Sequence, residues 1–121
     1  MAPSQAPALR LRHMLDEAQA IRQATLDLGF ESFRDTWLVR RAVEHGLLII
    51  SEAAKSLPTA LKRTQPSMPW GQIEALGNFL RHEYRDVDPA VLWRIIRHDL
   101  PSLRQVVGEM LEKIETENPE S

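Results

Sequence analysis

The stretch RAVEHGLLIISEAAKSL, residues 41–57, decides the fold class of this chain. Its apolar residues recur at steps of three and four, and that spacing is typical of a helix with one buried face. The run LLII at positions 47–50 is apolar on every side of such a helix, which indicates that its middle is buried on more than one side. We therefore predict a helix over residues 35–55. Its apolar face comprises Trp37, Val43, Leu47, Ile50 and Ala54, with Arg40 as the exception.

Helical spacing continues before and after this stretch, and start and stop signals divide it into further helices. A first helix is predicted over residues 7–28, with Gly29 as its C-terminal stop. The residues FESFRD, 30–35, are interpreted as a short loop or turn. After the second helix, prolines interrupt the pattern, so we expect a connector with at most one helical turn at TALKR, residues 59–63.

The second half of the chain predicts two more helical segments. A third helix is expected over residues 69–84, with Pro69 at its first position. Asp88 caps a fourth helix that begins at Pro89. Pro101 must break or kink this helix, because proline lacks an amide proton and clashes with the preceding turn. The apolar pattern resumes beyond it, and together the segments predict an all-α, up-and-down bundle of about four to five helices.

Composition limits the classes of protein that remain. The 121 residues suit one domain, which we expect over residues 7–116, with residues 1–6 and 117–121 disordered. The net charge of −2 provides no general nucleic-acid-binding surface, so any RNA contact must come from a local patch. The absence of cysteine excludes disulfides, zinc–thiolate sites and thiol nucleophiles. No apolar run reaches the roughly 18 residues of a membrane span, and the N-terminus has no apolar signal core, so a cytoplasmic protein is expected.

The segment NFLRHEYRDVD, residues 78–88, carries the candidate site at the end of the third helix. Its polar side chains are Asn78, Arg81, His82, Tyr84 and Arg85. The asparagine can orient the imidazole or hold a phosphate oxygen, the two arginines offer donors suited to phosphate, and the tyrosine offers a hydroxyl. RNA cleavage without a metal needs a base, a cation and an acid, which these groups could supply. The alternatives are a solvated helix end or a contact with another chain, because a histidine on a polar helix face is most often only solvated.

The other polar residues give weaker signals. His13 and His45 lie on separate predicted helices without a second ligand at metal-binding spacing, and His98 lies near the predicted kink. We predict no metal site and no cofactor, since a glycine-rich phosphate loop is also absent. The three tryptophans are interpreted as core or interface anchors. Glu52 is expected to be a paired structural carboxylate whose partner the sequence does not identify.

Three segments together resemble the HepT-like branch of the HEPN superfamily, namely RAVEHGLLIISEAAKSL, MPWGQIEALGNFLRHEY and DVDPAVLWRIIRHDLPSL. The shared features are the Arg-Ala-Val-Glu start, the Ile-x-Glu-Ala-Ala run, the Pro-Trp helix start, the His-x-Tyr end and the Asp-Leu-Pro kink, in this order. The resemblance implies an all-α bundle that forms a homodimer, with the polar face of the third helix of each protomer lining a shared cleft. It also implies a metal-independent endoribonuclease that acts as a toxin. Its partner would be a minimal nucleotidyltransferase antitoxin, which silences it by adding AMP to a tyrosine.

Positions of the family motif are carried over one by one. His82 matches the catalytic histidine, Tyr84 matches the modified tyrosine, and Asn78 matches the polar residue that follows the motif arginine. The position of that arginine holds Gly77, and Arg81 is the obvious substitute. Two interpretations therefore stay open. The chain is either a toxin ribonuclease, weakened by the missing arginine, or a catalytically inactive HEPN partner protein that still binds the nucleotidyltransferase.

Gly77 itself has two explanations. It either permits close helix packing, or it marks the loss of the motif arginine. On the second explanation, an arginine placed there could run its stem along the apolar edge of the helix and reach the cleft. Gly77→Arg would then fold and cleave RNA about ten- to a thousandfold faster.

Overall fold

The computed structural model describes residues 5–83 and 87–117, and within them it contains helices and no β-strand. The helices are α1 (Gln5–Thr25), α2 (Phe30–Asp35), α3 (Trp37–Lys55), α4 (Thr59–Lys62), α5 (Trp70–His82), α6 (Pro89–Arg94) and α7 (Leu100–Glu117). A π-helical turn, Ile95–Asp99, joins α6 to α7. The prediction of an all-α fold is confirmed.

Part of the predicted site and most of the predicted disordered ends cannot be compared with the structure. Outside the described residues lie 1–4, 84–86 and 118–121, and with them Tyr84 and Arg85. None of the described helices combines the length and the apolar character needed to cross a membrane.

Helix α3 is central to the bundle. It packs against α1 on one side and α5 on the other, while α1 also packs against α7. Leu47 and Ile50 are buried and Leu48 and Ile49 are half-buried, which confirms that the LLII run is covered on more than one side. Other large, fully buried side chains are Leu11, Met14, Phe33, Val43, Leu92 and Val107. Burial of each such apolar side chain typically contributes about 1.5–3 kcal/mol relative to exposure.

The residues predicted to form a loop instead form α2, so that prediction is wrong. Phe33 is fully buried, and its ring centroid lies 5.2 Å from that of Trp93 on α6. Its amide donates to the Gly29 carbonyl at 3.0 Å, which closes the first turn of the helix. A segment this short shows no helical periodicity and would be unstable alone, so its burial against α6 is what favours the helix.

Helix boundaries also differ where tertiary contacts act. Helix α1 ends at Thr25 rather than at the predicted position 28. Arg97 of the π-helical turn donates to the carbonyls of Thr25 and Leu28, at 3.1 and 2.7 Å. The Thr25 carbonyl also accepts from the Leu28 amide at 3.1 Å, and a cationic donor at the carbonyls of a helix end stabilises that end. Helix α5 begins one residue after Pro69 and ends at His82, before the predicted position 84.

The C-terminal helical segment begins and changes geometry where the sequence predicts. Asp88 Oδ1 accepts a hydrogen bond from the Ala90 amide at 2.9 Å, which confirms the predicted cap. Near the proline, the Leu100 amide bonds to the Ile95 carbonyl, five residues back, as in a π-helix. Pro101 then lies in the first turn of α7, where a missing amide proton costs least. The proline widens the helix rather than ending it.

Candidate active site

Helix α5 approaches α3 closely at Gly77, which is buried. The Gly77 amide donates to Ser51 Oγ at 2.9 Å, and Ser51 Oγ donates to the Glu74 carbonyl at 3.0 Å. A Cβ on residue 77 would overlap Ser51 Oγ and lie 3.0 Å from Ser51 Cβ. Close packing therefore accounts for Gly77. This contact argues against the expectation that an arginine would fold at this position and reach a cleft, because the Cβ of residue 77 would meet Ser51 of α3.

This contact leaves the side chains of Asn78, Arg81 and His82 exposed in the last turns of α5. Arg81 Nη1 donates to Asn78 Oδ1 at 3.1 Å, and the Arg81 guanidinium also forms an ion pair with Glu52 of α3. Glu52 is thus paired, as predicted, and Arg81 is its partner. His82 follows Arg81 as the last residue of α5, and its imidazole makes no hydrogen bond to any described residue. The structure therefore links Asn78, Arg81 and Glu52 and leaves His82 open to solvent beside them.

The electrostatics of this turn leave Arg81 accessible to an anion. The side chains of the Arg81–Glu52 pair are 41% and 46% exposed. Exposed ion pairs typically contribute only about 0–1 kcal/mol, so a phosphate could compete with Glu52. The guanidinium has several N–H donors, so it can keep Asn78 while it binds a phosphate oxygen. The carbonyls at the end of α5 themselves disfavour an anion, so phosphate binding at this turn would depend on the Arg81 guanidinium.

Comparison with known proteins identifies the family. The family model described as "Ribonuclease HepT-like" matches residues 14–110, a range that contains α3, α5 and the Arg81–Glu52 pair. The chain belongs to the HepT-like ribonuclease family. It is 32% identical over 107 residues to a "Putative RNase" of Caldanaerobacter subterraneus subsp. tengcongensis, covering 88% of this chain and 96% of that protein. It is 34% identical over 94 residues to the "Probable ribonuclease HepT" of Thermococcus cleftensis, covering 78% and 86%. No solved structure matches the chain.

Two further histidines of this HepT-like protein, His45 and His98, lie on elements other than α5. His45 is exposed on α3, and His98 lines a cavity of about 420 Å³ between α3, α5 and α7. Across residues 5–83 and 87–117, no three histidine or carboxylate side chains form a cluster that could hold a metal ion.

The tryptophans divide into two packed anchors and one exposed ring. The Trp70 indole donates to the Lys62 carbonyl at 3.0 Å. The Trp93 ring packs against Phe33, and the Arg97 guanidinium carbon lies 4.1 Å from the centroid of the Trp93 ring. These two anchor the fold of the HepT-like domain, as predicted. Trp37 is 59% exposed at the start of α3 and so is not part of the core.

Sequence reasoning missed the contribution of α1 to the site. Arg10 and His13 of α1 line the same groove as Glu52 of α3, and Glu52 also pairs with Arg81. Helical spacing reports which residues share one helix face, and it carries no signal for a groove between two helices. His13 therefore shares a groove with a carboxylate that its own helix does not supply.

Proposed function

We propose that this HepT-like protein is a metal-independent endoribonuclease, with His82 as its acid–base group and Arg81 as its phosphate donor. One observation carries the proposal: Asn78, Arg81 and His82 lie exposed together at the end of α5, in a chain that belongs to a ribonuclease family. The hydrogen bond from Arg81 to Asn78 orients the guanidinium on the same turn as the imidazole. Orientation of this kind is what a phosphate-binding donor needs.

The proposed reaction is a transesterification within RNA. The 2′-hydroxyl oxygen attacks the adjacent phosphorus, the bond from phosphorus to the 5′-oxygen breaks, and a 2′,3′-cyclic phosphate forms. A base takes the 2′-hydroxyl proton, and an acid protonates the leaving 5′-oxygen. His82 performs one or both of these transfers, and Arg81 stabilises the negative charge that develops on the phosphate oxygens.

The chemistry of the product ends tests this proposal. Purified protein is incubated with a labelled RNA in EDTA, and the ends of the fragments are determined by mass spectrometry. We expect cleavage to persist in EDTA and to leave 2′,3′-cyclic phosphate and 5′-hydroxyl ends. Cleavage that requires magnesium and leaves 5′-phosphate ends would instead mean metal-dependent hydrolysis, and the proposal would fail.

We further propose that the protein is a homodimeric toxin neutralised by a minimal nucleotidyltransferase antitoxin. The support is its family membership and the resemblance of its motif segments to HepT-like toxins. A specific dimer typically buries about 1,200–2,000 Å² in total, and we expect the dimer to be present at roughly tens of micromolar. Sedimentation that shows only monomer at such concentrations would contradict the dimer.

Tyr84 is the proposed target of the nucleotidyltransferase. Its hydroxyl oxygen would attack the α-phosphorus of ATP, with pyrophosphate as the leaving group and AMP left on the tyrosine. After co-expression with a cognate nucleotidyltransferase, we expect mass spectrometry to find AMP on the peptide that contains Tyr84. In Tyr84→Phe the adduct should disappear, and an adduct that persists would refute the assignment.

A second candidate function is that of an inactive HEPN partner protein that binds the nucleotidyltransferase. Two points favour it: the resemblance assigns the family arginine to the position of Gly77, which has no side chain, and Glu52 forms an ion pair with the Arg81 guanidinium. On this alternative, the protein would bind the nucleotidyltransferase and cleave no RNA. Binding and cleavage measured on one preparation separate the two functions.

A further inference from the structure

A groove between α1 and α3 adjoins the candidate active site. It encloses about 340 Å³ and is lined by Arg10, His13, Leu48, Ile49, Glu52, Ala53 and Ser56. Ligand pockets in proteins typically enclose about 300–1,000 Å³, so this groove is of a size that suits one nucleotide rather than a long polymer segment.

Two residues make the groove continuous with the site on α5. Glu52 lines the groove and forms the ion pair with Arg81, which in turn bonds to Asn78. Leu48 also lines the groove, and it lies 3.7 Å from where a Cβ on Gly77 would be. The ion pair therefore holds the proposed phosphate donor, Arg81, against a residue that lines the groove.

The lining of the groove combines the groups that a nucleotide needs. Arg10 and His13 are exposed on α1, and neither pairs with any described residue, so both are available to a phosphate. The aliphatic side chains of Leu48 and Ile49 form an apolar wall on which a base can pack. The Glu52 carboxylate can accept a hydrogen bond from a base amino group or a ribose hydroxyl, and its charge is balanced by Arg81.

We propose that this groove binds the nucleotide next to the scissile phosphate of a single-stranded RNA, with Arg10 and His13 on its phosphate and Leu48 and Ile49 against its base. The inference rests on the proposed function, since it identifies where that substrate lies. Arg10 and His13 contribute to RNA binding, whereas His82 and Arg81 carry out the chemical step.

The test measures binding separately from cleavage. All binding variants carry His82→Ala, so that the RNA stays intact, and a fluorescein-labelled single-stranded RNA is titrated by anisotropy. The groove variant is Arg10→Ala with His13→Ala. The control is Arg22→Ala with His98→Ala, which removes the same residue types from exposed positions outside the groove. Circular dichroism checks that both variants fold.

We expect the groove variant to bind at least about tenfold more weakly and to show a shallower dependence of affinity on salt, because phosphate contacts are lost. The control should stay within about twofold of its parent. If both variants bind RNA equally more weakly than the parent, the effect is one of general electrostatics and the groove proposal fails. If neither variant loses affinity for RNA, the groove proposal fails as well.

Cleavage kinetics with His82 intact then separate this inference from the proposed function. The groove variant should raise KM with little change in kcat, because it removes binding groups away from the reacting atoms. If kcat falls instead, His13 takes part in the chemistry and the binding role is wrong. If the wild-type protein cleaves no RNA, the proposed function fails, while groove-dependent binding would still support the nucleotide site. If the wild type cleaves and the groove variant binds and cleaves normally, only the groove inference fails.

Discussion

Arg81→Ala is expected to lower the rate of RNA cleavage by about a hundred- to a thousandfold, the usual effect of removing one oriented transition-state donor. Arg81 is held by Asn78 and Glu52 on the turn that ends in His82, and in the proposed mechanism its guanidinium stabilises the charge on the phosphate. Arg81→Lys should recover only part of the rate, because lysine keeps the charge but loses the planar donor geometry. The measurement is the single-turnover rate on a labelled RNA at saturating protein.

Arg63→Ala is the matched control for Arg81→Ala. Arg63 is exposed just after α4 and forms no ion pair with Glu52, so its replacement removes the same charge and leaves the Arg81–Glu52 pair in place. We expect this control to cleave at nearly the wild-type rate. A fully active Arg81→Ala would mean that Arg81 is not the phosphate donor, and equal losses in both variants would indicate a general charge effect.

Gly77→Arg is expected to destabilise the protein rather than to activate it. A Cβ at this position overlaps Ser51 Oγ, so Ser51 must give up its hydrogen bonds to the residue 77 amide and the Glu74 carbonyl. Overpacking of this kind typically costs about 1–3 kcal/mol, which sets the expectation for Gly77→Ala. The longer arginine should cost more, because its stem also has to leave the α3–α5 contact. Denaturant unfolding measures both changes in the free energy of unfolding.

Two other variants show whether close packing at Gly77 is the cause of the expected loss of stability. A Cβ on Gly108 of α7 meets nothing within 4 Å, so Gly108→Ala should raise stability by up to about 1 kcal/mol. In a Ser51→Gly background the obstructing side chain is gone, and Gly77→Ala should cost less there than in the wild type. If Gly77→Ala is as stable as the wild type, or if Gly77→Arg folds and cleaves RNA faster, the packing explanation is wrong.

The parts of the fold that follow local rules could be predicted from sequence. The periodicity of α3 and the cap at Asp88 depend on residues within one segment, and both appear as predicted. The end of α1 depends on Arg97, which reaches its carbonyls from far along the chain. Helix α2 depends on the burial of Phe33 against Trp93. No local pattern contains these contacts.

The candidate site shows the same division. Asn78 and His82 could be placed on one polar face because both lie on a single helix. The pairing of Glu52 with Arg81 joins α3 to α5, and the groove that holds His13 joins α1 to α3, so neither could be predicted from spacing. Gly77 lay at the edge of the predicted apolar stripe. Only the structure shows that Ser51 faces it.

The rate at which His82→Ala cleaves RNA in the presence of a chelator tests the ribonuclease assignment most directly. His82 is exposed at the end of α5 and makes no hydrogen bond to a described residue, so its replacement should leave the fold and the Arg81–Glu52 pair intact. We predict that the wild-type protein cleaves a labelled RNA in EDTA and that His82→Ala, folded to the same stability, cleaves it about a hundred- to ten-thousandfold more slowly. Equal rates for the two proteins, or no cleavage by either, would contradict the assignment of a His82-dependent ribonuclease.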